Sequence, residues 1–288
     1  MVLVVAAPCQ AGLTLGQLTP PFGGPLGCNS GSFIVQTSVA SGPDYRIPPG
    51  GGVITRWSAR SWPSGGPDQV LQLVLAGSDV GGDGVTFDAF SDFEHLPATG
   101  TVLPYTFQTR IPVSGGQRLG LFAQTGPFTW TCAIGFGTNG PSDRNIWGDA
   151  PQVTIGAPPI VASHGQFLQE RVPVEVMLEP DADHDGYGDE SQDQCPTDAT
   201  THGPCPVPDT AITTGPKPKS KRRTATFAFE SPTEGATFEC QLDGGPFQPC
   251  SPPHLVSVGK GTHTFAVRAT AKGETDASPA TWEWKVKH

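Results

Sequence analysis

Residues 172–196 read VPVEVMLEPDADHDGYGDESQDQCP, and both the fold class and the search for a site start there. The first part alternates. Val172, Val174, Val176 and Leu178 fall at every second position, which puts them on one face of a β-strand. The character then changes at once. Asp181, Asp183 and Asp185 stand at alternate positions, with Gly186 and Asp189 behind them. Carboxylates so crowded repel one another and do not enter an apolar core. They make sense around a hard cation, because Ca2+ is bound by several oxygen ligands from a flexible loop. Gly186 supplies the backbone freedom for a sharp turn that brings later ligands back. The Tyr187 carbonyl is the expected backbone ligand, and Asp189 with Asp193 or Glu190 is expected to close the shell. Pro173 precedes the segment and Pro196 follows it, so the flanking helices of a paired EF-hand have no place. A solvated acidic tether would not need a glycine at that position.

The segment Asp181–Pro196, D-x-D-x-D-G-x-x-D followed by Asp and Cys-Pro, resembles a thrombospondin type 3 calcium repeat. The resemblance implies Ca2+ as the cofactor. The compact repeat places its last Asp where Gln192 stands; here Asp193 comes one residue later.

Outward from this loop, the chain reads as all-β. It has 288 residues, enough for two domains at roughly 100–200 residues each. Gly and Pro are abundant, at 37 and 31, and they punctuate short apolar runs. Val53, Thr55, Trp57 and Ala59 alternate against Ile54, Arg56 and Ser58. Leu71, Leu73 and Leu75 share a face, as do Leu119 and Leu121. Such a pattern predicts antiparallel strands in a jelly-roll-like β-sandwich over residues 12–178. Residues 179–206 are then the calcium loop with a disulfide, and 207–223 a Pro- and Lys-rich linker. Residues 224–288 form a second, smaller sandwich. There, Phe227 and Phe229, then Phe238, Cys240 and Leu242, then Trp282, Trp284 and Val286 alternate, and Asp243-Gly244 signals a hairpin turn.

This last unit, with GATFECQLDGGPFQPCSPPHLVSVGKGTHTFAVRAT and DASPATWEWKV, resembles the Ig-like repeats of large extracellular proteins of actinobacteria. The resemblance implies an Ig-like fold, an extracellular or cell-surface address and a structural or adhesive role.

Cysteine usage points the same way. Cys195 and Cys205 flank one short loop, and Cys240 and Cys250 another, as disulfides do in exported chains. Cys28 and Cys132 are the expected third pair. Residues 1–11, MVLVVAAPCQA, read as a truncated export signal carrying Cys9. No C-x-x-C spacing suggests zinc.

Composition disfavours some functions. The net charge is −10, which does not favour nucleic acid. No apolar run is long enough for a membrane span. The chain has no G-x-S-x-G and no H-E-x-x-H. Gly135–Gly140 fits G-x-G-x-x-G, but Pro141 follows where a dinucleotide site needs a helix. Asp88, Asp92 and Glu94 are candidate paired carboxylates for glycoside cleavage, and nothing fixes their separation. The expectation is a non-enzymatic, exported, calcium-binding structural or adhesive protein, with calcium stiffening the joint between two sandwiches. Its partners would be cell-wall or extracellular polysaccharide or protein. The alternative is a carbohydrate-binding or glycoside-active first domain, with Trp62 and Trp147 as exposed aromatics and Trp57 and Trp130 in the core.

Overall fold

The computed structural model describes residues 12–18, 25–28, 31–60, 69–77, 84–97, 103–124, 132–137, 142–150 and 152–287, with backbone alone for 25–28, 132–137 and Phe167. The proposed leader 1–11, Trp62, Trp130 and the turn 138–141 lie outside them. The described residues are all-β and contain no helix. The chain divides into two compact units, Met1–Asp193 and Gln194–His288.

Among the described residues, the first unit holds sixteen strands. In chain order, β1 spans Leu13–Gln17, β2 Pro25–Cys28, β3 Ser32–Ser38 and β4 Gly52–Arg60. Next come β5 (Gln69–Ala76), β6 (Gly84–Val85), β7 (Phe87–Phe90) and β8 (Glu94–Leu96). Then follow β9 (Pro104–Val113), β10 (Arg118–Ala123), β11 (Cys132–Gly137) and β12 (Arg144–Asp149). The last four are β13 (Ile160–Val161), β14 (Gly165–Leu168), β15 (Glu170–Arg171) and β16 (Val174–Glu179).

Two sheets make the sandwich. One runs β1-β16-β4-β9, the other β14-β12-β3-β10-β5-β7 with β8 beside β5. Leu15, Trp57, Ile111, Val174 and Val176 of the first sheet pack on Ile34, Leu71, Leu73, Leu75, Leu119 and Leu121 of the second. The second sheet is buried on both faces. Phe33, Val35, Val74, Phe87, Phe122 and Ile146 form another apolar layer on its outer side. Its central strands therefore read as nearly continuous apolar runs. A smaller sheet, β15-β11-β2, sets Cys132 opposite Cys28 in backbone register.

The alternation read in β4 breaks at one residue. In both of its pairings β4 skips Thr55: Met177 opposes Arg56 while Leu178 opposes Ile54, and Ile54 opposes Ile111 while Arg56 opposes Gln108. On β9 the residues left out are Thr109 and Arg110. The irregularity shifts the faces, so Ile54 and Trp57 both enter the core although they are three residues apart. Thr55 is thereby turned out of the core that strict alternation would give it.

A buried ion pair ties the sandwich across its edge. Arg171 donates from Nε to Asp143 Oδ2 and from Nη2 to Oδ1, each at 2.9 Å. Its remaining donors reach Gln17 Oε1 at 2.7 Å and the Ser41 carbonyl at 2.6 Å.

The second unit holds β17 (Ala211–Thr214), β18 (Lys219–Ser220), β19 (Thr224–Glu230), β20 (Thr237–Leu242) and β21 (Gln248–Cys250). After them come β22 (His254–Ser257), β23 (Gly261–Ala271), β24 (Glu274–Thr275) and β25 (Ala280–Val286). The sheet β17-β19-β22 faces the sheet β18-β25-β23-β20-β21 in an Ig-like sandwich. Phe227, Phe229, Phe265, Val267, Trp284 and Val286 fill the space between them. Phe227 stacks on Phe265 at 4.0 Å, with Trp284 edge-on. Asp243 and Gly244 take φ of 52° and 74°, the left-handed pair that the hairpin turn requires.

Residues 207–223 are not a free linker. β17 pairs with β19, and β18 runs parallel to β25. Ile212 packs against the core, and the Trp282 indole donates to the Pro216 carbonyl at 3.0 Å. Proline and lysine content pointed to a solvated spacer, but the alternate side chains of an edge strand can be cationic without cost to its backbone pairing. The expected segment 179–206 also divides. Its acidic loop ends the first unit, and its Cys195–Cys205 disulfide loop opens the second. There Asp198 pairs with Lys272 Nζ at 3.1 Å.

Candidate metal centre

The site grows out of the end of β16. Glu179 is buried at 4 % exposure and accepts four hydrogen bonds. The Thr55 hydroxyl donates to Oε1 at 2.8 Å and the Ser191 hydroxyl to the same oxygen at 2.7 Å. The backbone N–H groups of Glu190 and Ser191 reach Oε2 at 3.1 and 2.9 Å. Burial alone would push this carboxyl up, yet the bonds from Ser191, Thr55 and Glu190 outweigh it and hold its pKa below the usual carboxylate range. One carboxylate thus pins the far end of the acidic loop to the sheet.

Two more contacts dock the loop, and all three fall where the ladder is irregular. Gln192 Nε2 donates to the Thr109 carbonyl at 2.8 Å. The Arg110 guanidinium lies 4.2 Å above the Tyr187 ring. Thr55, Thr109 and Arg110 are the residues that the β4–β9 register passes over. The irregularity frees them from strand pairing to hold the loop instead.

Within the loop the carboxylates turn inward. Asp181 Oδ1 and Asp183 Oδ1 accept from the Asp185 N–H at 3.1 and 3.2 Å. Asp181 Oδ2 accepts from Gly186 N–H at 3.1 Å, Asp185 Oδ1 from Tyr187 N–H at 2.8 Å, and Asp189 Oδ1 from Ala182 N–H at 3.2 Å. Gly186 has φ of 85°, as the turn demands, and His184 is also left-handed at 63°. Asp181, Asp183 and Asp185 bring carboxylate oxygens within 4.8 Å of one another.

The cluster is under-compensated. Asp183 Oδ2 is buried and has no hydrogen-bond partner. Burial pushes the Asp183 carboxyl up, more than the Asp185 N–H bond offsets, and the charges of Asp185, Asp193 and Asp181 push it further. Asp189 is raised in the same way, by burial and then by Asp181, Asp193 and Asp183. An all-oxygen donor set of this charge fits a hard divalent cation, not a soft one. An open cleft of about 590 Å³ beside Gly50, Pro112, Asp181 and Asp185 gives an ion a way in.

The geometry separates the closing candidates. Glu190 is exposed, and its Oε1 accepts from Gly12 N–H at 2.7 Å, away from the cluster. Asp193 is buried at 5 % exposure, and its charge acts on both Asp183 and Asp189. Gln192, at the compact repeat's Asp position, is committed to Thr109. Glu179 escaped sequence reading. Its only signal is a carboxylate directly after a buried strand residue, Leu178.

Other candidate sites come apart. Cys240, Cys250 and His254 converge within 4.8 Å, but the two sulfurs are joined as a disulfide and offer no thiolate. Asp88 accepts from Gln117 Nε2 at 3.1 Å. Glu94 is raised by burial and by the nearby Asp92 charge. Asp149 bridges the Ser32 hydroxyl and His164, each at 2.7 Å, so the histidine does not touch the serine as a nucleophile's base must. Trp57 is fully buried. Trp147, expected to be exposed, is half-buried and packs on the core. Gly135–Gly137 ends β11, and no helix occurs among the described residues to complete a dinucleotide site.

No protein-family model matches the chain, and no curated protein matches it. Among solved structures, it is similar to the fibronectin(III)-like modules of CbhA from Clostridium thermocellum, at 12 % identity over 88 % of this chain and 94 % of that one, TM-score 0.24. The glycoside hydrolase domain of Endo-D from Streptococcus pneumoniae R6 gives 11 % identity over 90 % and 32 %, TM-score 0.22. A β-D-glucuronidase of Dictyoglomus thermophilum gives 9 % over 96 % and 44 %, TM-score 0.19. Scores this low transfer no chemistry to the chain.

Proposed function

We propose that this chain is an exported, calcium-binding structural or adhesive protein, whose acidic loop takes up Ca2+ at the end of the first sandwich. Asp181, Asp183, Asp185, Asp189 and Asp193, with the Tyr187 carbonyl, would hold the ion. The observation that carries the reading is Asp183 Oδ2, a buried carboxylate oxygen without a partner beside two further carboxylates. Such a group is costly unless a cation compensates it. Bound Ca2+ would cancel the repulsion and convert binding energy into local folding energy. Because the loop ends at Asp193 and the next unit begins at Gln194, ordering it would also fix the point from which the chain leaves. Among the described residues, two disulfides and the lack of any helix long and apolar enough to cross a membrane are compatible with an extracellular address. Calcium titration of the intact protein by calorimetry, repeated with Asp183→Asn, tests the proposal. Heat of binding lost in the variant supports it; no heat in the wild type overturns it.

A further inference from the structure

We infer that the outer face of the second sandwich at β18 and β25 is a cationic docking strip for an anionic polysaccharide. Lys219 stands directly opposite Lys285 in a parallel pairing, and Ser220 opposite Val286. The register is locked by Lys285 N–H to the Pro218 carbonyl and Lys287 N–H to the Ser220 carbonyl, both 2.9 Å. Lys217, Lys219, Lys221, Lys285 and Lys287 are all exposed, and Arg222 and Arg223 extend the strip. None of the seven has an ion pair among the described residues. Glu283 is the one carboxylate on that face of β25. Like charges facing one another across strands destabilise a sheet, so an arrangement like this is suited to an external anion.

The charge is segregated. Residues 1–193 carry 18 acidic and 7 basic side chains, residues 194–288 carry 9 and 10, and all seven lysines lie between 217 and 287. Alternate strand residues repeat at about 6.6 Å, and neighbouring strands lie about 4.8 Å apart, so the ammonium groups form a narrow, regularly spaced row. A linear polymer with periodic carboxylates or sulfates is complementary to that row. Nucleic acid is a poorer fit, because Trp284 is buried and Trp282 is engaged with Pro216, leaving no aromatic platform for bases. A lipid surface is a poorer fit too, because no large apolar side chain is exposed between 217 and 223 or 281 and 287.

The test uses the full chain with heparin and alginate as probes, and with a single-stranded oligonucleotide and phosphatidylglycerol vesicles as comparators. The wild type is expected to bind a polysaccharide in the presence of chelator, more weakly as salt rises from about 50 to about 200 mM. Lys219→Glu/Lys285→Glu should weaken that binding about ten-fold while leaving the melting temperature nearly unchanged, because one like-charged pair replaces another. The milder Lys217→Gln/Lys221→Gln should weaken it by a smaller factor. Absence of binding to both polysaccharides, undiminished binding by the charge-reversed variant, or tighter binding to the oligonucleotide or vesicles overturns the assignment.

Discussion

Glu179, the last residue of β16, takes a 2.8 Å hydrogen bond from Thr55, the residue that β4 leaves out of its ladder. The acidic loop therefore has a rigid support on the sandwich, and its behaviour with and without metal can be read as stability of the first unit.

Adding calcium should raise the melting temperature. With a Kd of about 10⁻⁴ M and about 10 mM free ion, the linkage contributes about 2.7 kcal/mol. For a unit of this size that is about 5 to 10 °C. Asp183→Asn should abolish the response while leaving the chelated melting temperature equal or higher, since it removes repulsion. Scanning calorimetry with chelator and with calcium checks both halves. A wild type that melts identically in the two conditions refutes the metal site.

Gly188→Ala should damage the loop's seat. A Cβ there would lie 2.6 Å from both Glu179 Oε2 and Thr55 Cγ2. The expected cost is about 1–3 kcal/mol, with a weakened calcium response. Gly259→Ala, where a Cβ meets nothing within 4 Å, should stay within about 0.5 kcal/mol. Denaturant unfolding measures each.

Arg171→Met should destabilise the first unit by about 3–5 kcal/mol, because it leaves the Asp143 carboxylate buried at 1 % exposure without its cation. Arg171→Lys should recover only part, since the two-pronged geometry is lost. Equal urea midpoints for wild type and Arg171→Met would contradict this account.

The second unit should weaken in acid through Asp243. Burial pushes its carboxyl up, but bonds from His263 at 2.8 Å and Thr264 N–H at 2.9 Å outweigh that and hold the pKa below the usual range. A depressed folded pKa contributes stability above the unfolded value, about 3.9, and loses it as pH falls through the folded value. Asn tolerates the same left-handed turn. Asp243→Asn should therefore melt below wild type at pH 6, and the gap should close as the pH falls through the depressed folded value. A gap that does not change with pH would exclude this origin.

Local pattern made much of the fold legible. Leu71, Leu73 and Leu75 share the core face as their spacing implies, and Asp243-Gly244 makes its turn. Trp284 and Val286 point inward from β25 between exposed Glu283 and Lys285. What escaped depends on distant partners. Nothing near Thr55 announces that both neighbouring strands will skip it. β3 hides its period because both of its faces are covered. β18 is two residues long and owes its existence to Lys285 and Lys287 far along the chain. The acidic loop itself was visible because its spacing is local. The supports Glu179, Gln192 and Arg110 were not, since each acquires meaning only against another strand.

The confinement of every lysine to residues 217–287 has a practical corollary. Side-chain amine chemistry can reach only the second sandwich. Side-chain coupling through activated esters would attach at that module and leave the acidic loop's own residues unmodified, and a lysine-specific protease would find no cleavage point in the first 216 residues.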